Sequence, residues 1–266
     1  MKEDLASSFL RLVGILDELR EKCPWDRKQT IQSLRSMTIE ETYELTDAVS
    51  REDWPGIKEE LGDLLLHVLF YARIASEQGK FSLGDTLESL MEKLIFRHPH
   101  IYGPQPGTGL LREVRDEEDV KKNWEKLKQR ERQSTVLGGV PRSLPALVKA
   151  ERLQEKAAQV GFEWEQTPEV REKVQEELVE LDTAVREDNP TAVEEEFGDL
   201  LFSLINYARF LRIDAEHALQ KANAKFTRRF TGMEQLALTR GKALSDMTLS
   251  EMDALWNSVK QQKLPD

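Results

Sequence analysis

Two stretches of the chain carry acids in a spacing that suits metal chemistry. Glu40-Glu41-Thr42-Tyr43-Glu44 is echoed by Glu176-Glu177-Leu178-Val179-Glu180, and each is followed sixteen residues later by Glu-x-x-Asp, at Glu60 and Asp63 and at Glu196 and Asp199. Carboxylates gathered without a cation are unfavourable, because like charges within a few ångström raise one another's pKa or push their carriers apart. A cation removes that penalty. With no His or Cys in the set, all-oxygen ligation suits the hard ions Mg²⁺ or Mn²⁺, and Mg²⁺ keeps waters and takes further ligands from substrate phosphates. The acids therefore point to a metal-dependent site for a phosphorylated substrate. A di-iron carboxylate bundle wants Glu-x-x-His on two helices, and the chain has none.

Other reactive residues offer less. His98 and His100 flank Pro99 and read as a loop, His67 faces Ser203 in the comparison of the two stretches, and His217 has no counterpart. Cys23 is the single cysteine and has no activating histidine nearby in sequence. Neither a GxxxxGK[ST] phosphate loop nor a GxSxG elbow is present.

The elements that must position the acids are helices, because apolar residues recur at intervals of three and four. Val170, Val174, Leu178, Leu181 and Val185 form one stripe, and Ile31, Leu34, Thr38, Leu45 and Val49 form its equivalent. At about 100° per residue, Glu177 and Glu180 border the stripe and Glu176 points outward. Thr167-Pro168 reads as a cap and first-turn proline, Thr30 starts the equivalent helix, and Asn189 caps the next one after the break at Asp188. That next helix is expected to bury Phe197, Leu200, Leu201, Leu204 and Ala208. Antiparallel helices joined by a short turn bring together residues equidistant from it. Glu177 with Asp199 and Glu180 with Glu196 are both centred on residue 188, while Glu41 with Asp63 and Glu44 with Glu60 are centred on residue 52. Four carboxylates are thus expected to face one another across each hairpin.

The echo extends well beyond the acids. Glu60-Leu61-Gly62-Asp63-Leu64-Leu65 matches Glu196-Phe197-Gly198-Asp199-Leu200-Leu201 at an offset of 136, as does Tyr71-Ala72-Arg73 with Tyr207-Ala208-Arg209. Lys93, Arg97 and Trp124 match Lys225, Arg229 and Trp256 at an offset of 132. The chain reads as a duplication, with a loop at Gly103–Gly107 and a linker over Gln133–Pro145. The predicted fold class is all-α, with two similar helical-bundle domains over residues 1–133 and 134–266. Composition agrees, since 14 glycines and 10 prolines in 266 residues fall below the usual share of about 12%.

Charge narrows the partners. With 38 basic and 49 acidic residues the net charge is −11, which opposes the cation-driven attraction that dominates nucleic-acid binding. The basic run from Lys121 to Arg132 is read accordingly as a solvated helix closing the first copy. No apolar run approaches the ~18 residues of a membrane span, and the N-terminus lacks the unbroken apolar core of a signal peptide. Neither nucleic acid nor membrane is expected as a partner, and one cysteine fits a reducing cytoplasm.

Cys23-Pro24-Trp25-Asp26, Gln29-Thr30, the EExxE and ELGDLLLHVLFYA runs, and Arg97-His98-Pro99-His100 together resemble the MazG family of nucleoside triphosphate pyrophosphohydrolases in its two-domain form. The resemblance covers nearly the whole chain. It implies an all-α pyrophosphatase fold, Mg²⁺-dependent cleavage of NTPs or dNTPs to monophosphate and pyrophosphate, and a homodimer. Carried over, the family's metal ligands fall on Glu177, Glu180, Glu196 and Asp199, and its nucleotide contacts on Lys173, Lys225, Arg229 and Trp256. The attacking water is then activated by the metal or by a free carboxylate, for which Glu176 is the candidate, and Lys225 and Arg229 are the residues that neutralise phosphate charge. Relatives associate activity with the C-terminal copy; Glu41, Glu44, Glu60 and Asp63 form the second candidate metal set. A phosphohydrolase of narrower range, dUTPase-like or acting on phosphoribosyl-ATP, and a silent nucleotide-sensing scaffold are the alternatives.

Overall fold

The structure, a computed structural model, describes residues 2–106, 108, 113–132 and 135–261, and every regular element among them is a helix. The chain divides into two units, Met1–Leu127 and Lys128–Asp266. The boundary expected at 133–134, Gly107 of the expected loop and the tail after 261 lie outside the described residues.

The first unit contains α1 (Lys2–Lys22), α2 (Ile31–Ser50), α3 (Trp54–Glu77), α4 (Leu83–Arg97) and the short α5 (Pro99–Tyr102), followed in the chain by α6 (Glu117–Arg132). The second contains α7 (Ala146–Gln159), α8 (Thr167–Arg186), α9 (Pro190–Phe210), α10 (Ala215–Thr239) and α11 (Leu249–Gln261). In the first unit α2 packs on α3, which also receives α1 and α4; in the second α8 packs on α9, α7 on α9 and α10, and α10 on α11.

Caps fix where the hairpins begin and turn. The Thr30 hydroxyl accepts from the Ser33 amide at 3.0 Å before α2, Asp53 accepts from Gly56 before α3, and Asn189 accepts from Ala192 before α9. Each bond satisfies an amide that has no intrahelical partner. The turns fall at Glu52 and Asp188, both left-handed with φ of 54° and 51°, at the centres given by the pairing of the acids. The start of α8 differs from the expectation by one residue. Gln166 is the cap, because the Glu169 carboxylate reaches back to its amide at 3.1 Å, and Thr167 is already helical.

The core is uneven. Leu16, Leu34, Leu69, Phe70 and Ile74 form a buried cluster in the first unit, with Met37, Leu66 and Tyr71 against it. In the second, the cluster is Met233, Ala237, Leu255 and Val259 on α10 and α11, with Trp256 packed beside it. The hairpin α8–α9 buries much less than its pattern leads one to expect. Val170 and Ile205 are buried, but Leu178, Val185, Phe197, Leu201 and Leu204 are exposed, and Ile31 and Val49 are exposed in the first unit. Periodicity identifies an apolar face but not what covers it: α7 and α10 pack on α9, yet these positions stay exposed. The helix α6 is not wholly solvated, since Asn123 and Leu127 are buried and Trp124 lies 4.8 Å from His98.

Candidate metal centre

Each hairpin brings three carboxylates together. Oxygens of Glu177, Glu196 and Asp199 lie within 4.8 Å of one another, as do those of Glu41, Glu60 and Asp63. The geometry follows from α8 and α9, or α2 and α3, running antiparallel from a short turn, with Glu-x-x-Asp placing two acids one turn apart on the second helix. The fourth acids, Glu180 and Glu44, are exposed and stand outside these triplets. They are nonetheless close enough to act on them. Burial pushes the Glu196 carboxyl above its ordinary range, and Glu180, Glu177 and Asp199 add to the effect. In the first unit burial again raises Glu60, with Glu44, Glu41 and Asp63 adding, and raises Glu41, with Asp63 and Glu44 adding.

These acids fit a divalent cation. Glu60 Oε2 is buried and finds no hydrogen-bond partner among the described residues, a costly state for a carboxylate oxygen unless a cation shares it. The donor set is three hard oxygens with no nitrogen or sulfur, as Mg²⁺ or Mn²⁺ prefers. Asp199 is exposed rather than tucked against the apolar run that follows it, so the cost of desolvation falls on buried Glu177 and half-buried Glu196.

The two copies differ around this shared core. Lys173 Nζ lies 2.7 Å from Glu177 Oε1 and 2.9 Å from Glu176 Oε1, and these hydrogen bonds, to Glu177 first, hold its ammonium above the usual lysine range. Glu176 is 57% exposed at its side chain. In the first copy the same register holds Met37, which packs with the core. The offset of 136 that aligns Glu41 with Glu177 also aligns Met37 with Lys173, so this difference is visible in the sequence alone. His67, where the second copy has Ser203, is buried with Nδ1 unpartnered among the described residues, and burial lowers its pKa against the pull of Asp63.

Lys225 and Arg229 lie one turn apart on α10, and neither makes an ion pair among the described residues. Trp256 on α11 is half-buried, with its ring 5.4 Å from Phe226 and Phe226 a further 5.9 Å from Phe230. The i, i+4 aromatic pair is the sequence signal that could have marked support for the tryptophan. In the first copy the matching cation is engaged: Arg97 is buried and lies over the Trp124 ring at 5.4 Å.

A duplicated helical hairpin with facing glutamates and an aspartate, followed by a cationic helix, defines a class of all-helical protein whose carboxylates fit a divalent cation. A profile of the MazG nucleotide pyrophosphohydrolase domain matches residues 29–102 and 166–232, which contain both acid sets. The chain belongs to the MazG family. It is 44% identical over 257 residues to the Thermotoga maritima protein named nucleoside triphosphate pyrophosphohydrolase/pyrophosphatase MazG, covering 95% of each chain. It is 40% identical to the nucleoside triphosphate pyrophosphohydrolase of Escherichia coli K12, with 96% of this chain and 97% of that protein covered. Bacillus subtilis YabN is 44% identical over 97% of this chain, which spans 52% of that longer protein.

Proposed function

We propose that the chain hydrolyses nucleoside triphosphates, NTP or dNTP, to the nucleoside monophosphate and pyrophosphate, and that it does so in the C-terminal copy, residues 134–266. The observation that carries this reading is the meeting of Glu177, Glu196 and Asp199 within 4.8 Å in a chain of the pyrophosphohydrolase family. Those three, with Glu180 as a fourth, would hold Mg²⁺ or Mn²⁺. A divalent ion in such a site neutralises phosphate charge and lowers the pKa of bound water.

The chain's own groups supply the rest. Lys225 and Arg229, unpaired among the described residues, stand ready for the triphosphate, whose charge must be neutralised as pyrophosphate departs. Glu176, exposed and released once Lys173 turns to phosphate, takes the proton from the water that attacks the α-phosphorus. Trp256, backed by Phe226, offers a face on which any base stacks. The first copy retains Glu41, Glu44, Glu60 and Asp63, but its Arg97 already lies on Trp124, which supports the second copy as the working one. The exposed faces of α8 and α9, with Phe197, Leu201 and Leu204, fit burial against a second copy of the chain in a homodimer. No helix among the described residues is long and apolar enough to cross a membrane, and a free Cys23 suits the cytoplasm.

Assaying the eight common NTPs and dNTPs tests the reading. Turnover of several, abolished by EDTA and restored by Mg²⁺ or Mn²⁺, is the expected result. Turnover confined to one substrate would indicate a narrower phosphohydrolase, and binding without turnover a silent sensor.

A further inference from the structure

The acid cluster of the second copy already carries a cation of its own. Lys173 stands one turn before Glu177 on α8 and bridges Glu177 and Glu176 at 2.7 and 2.9 Å, and Glu177 is 6% exposed. The side chain is anchored, not adrift in solvent. Nothing comparable exists among the described residues of the first copy, where Met37 is half-buried against the apolar core and no lysine or arginine pairs with Glu41, Glu60 or Asp63. The two sites share their acids and differ in built-in charge.

That difference bears on metal uptake. A carboxylate oxygen hydrogen-bonded to an ammonium offers a metal one lone pair fewer, and a fixed positive charge a few ångström away repels an incoming dication. A triphosphate changes the balance, because its several negative charges attract the same ammonium. We propose that Lys173 is a positioning residue that makes divalent-metal uptake by the second copy conditional on the triphosphate: it holds Glu177 and Glu176 until phosphate oxygens draw it off, which frees Glu177 for the metal and Glu176 for its proton. By linkage the effect is mutual, so bound metal also favours nucleotide. The first copy, with Met37, takes its metal without nucleotide. This coupling presupposes the metal centre proposed above.

The test is Mn²⁺ binding, read from the electron paramagnetic resonance signal of the free ion, on the full chain. Glu60→Gln with Asp63→Asn silences the first copy, so that binding reports the second. In that background Mn²⁺ should bind weakly alone and tighten strongly with a non-hydrolysable α,β-methylene nucleotide. Adding Lys173→Met should tighten binding about tenfold without nucleotide, and Lys173→Arg should leave it weak. Conversely, with the second copy silenced by Glu196→Gln and Asp199→Asn, Met37→Lys should weaken Mn²⁺ binding at the first. This reciprocal variant carries the test if circular dichroism shows that Lys173→Met loses helix. Nucleotide-free affinity left unchanged by Lys173→Met, or no change from Met37→Lys, overturns the coupling while leaving the metal centre intact. If no Mn²⁺ binds even with the nucleotide analogue, the metal-centre reading itself fails.

Discussion

Glu177 is the buried member of its triplet and the one tied to a lysine, whereas Glu196 and Asp199 face it from α9 without a cationic partner among the described residues. Removing either of the latter leaves the fold's apolar contacts untouched and would take a ligand from the proposed metal centre. Glu196→Gln or Asp199→Asn should therefore lower turnover by more than about a hundredfold, beyond the 10- to 100-fold usual for residues that merely support ligands, with unchanged helix content by circular dichroism. Glu60→Gln and Asp63→Asn should retain most of the turnover. Equal losses from the two sets would show that both copies catalyse. The acids were legible in the sequence because duplication repeats their spacing, and spacing on a helix fixes direction. The pairing of Lys173 was not, since i, i+3 and i, i+4 partners compete and only the side-chain rotamer decides that Glu176 and Glu177 share it.

At the scale of elements, the hairpins were readable from caps and period, with Asn189, Thr30 and the turns at residues 52 and 188 all falling where local chemistry places them. What covers the hairpins was not readable, because Phe197, Leu201 and Leu204 have the same pattern whether their cover comes from this chain or another. In the first unit α1 is clamped to α3 by Arg20, whose guanidinium donates to Glu77 from Nε at 3.0 Å and from the second terminal nitrogen at 2.9 Å. The hydrogen bond from Arg20 first, and then its charge and that of Arg73, hold the Glu77 carboxyl below its usual range against the opposing effect of burial. A lowered carboxyl contributes stability that is present above its unfolded pKa of 4.5 and disappears as pH falls through the folded value. Glu77→Gln should therefore lower the melting temperature at pH 7, and the difference from the unsubstituted protein should vanish as the pH falls well below 4.5. A difference that persists undiminished in acid would show that the clamp acts through packing rather than charge.

For the whole molecule, a net charge of −11 and an exposed apolar face on α9 are reconciled if the face is buried between two copies while the charge keeps the assembly soluble. Sedimentation should report a dimer, and Leu201→Glu should shift it to monomer; a monomeric unsubstituted protein would contradict this. Duplication, a carboxylate centre and cations on α10 all serve one claim, that water is delivered to the α-phosphorus of a nucleoside triphosphate. Hydrolysis in ¹⁸O-labelled water followed by mass spectrometry of the products tests that claim most directly. Nucleoside monophosphate carrying ¹⁸O with unlabelled pyrophosphate is the predicted result, and nucleoside diphosphate with labelled orthophosphate would contradict it.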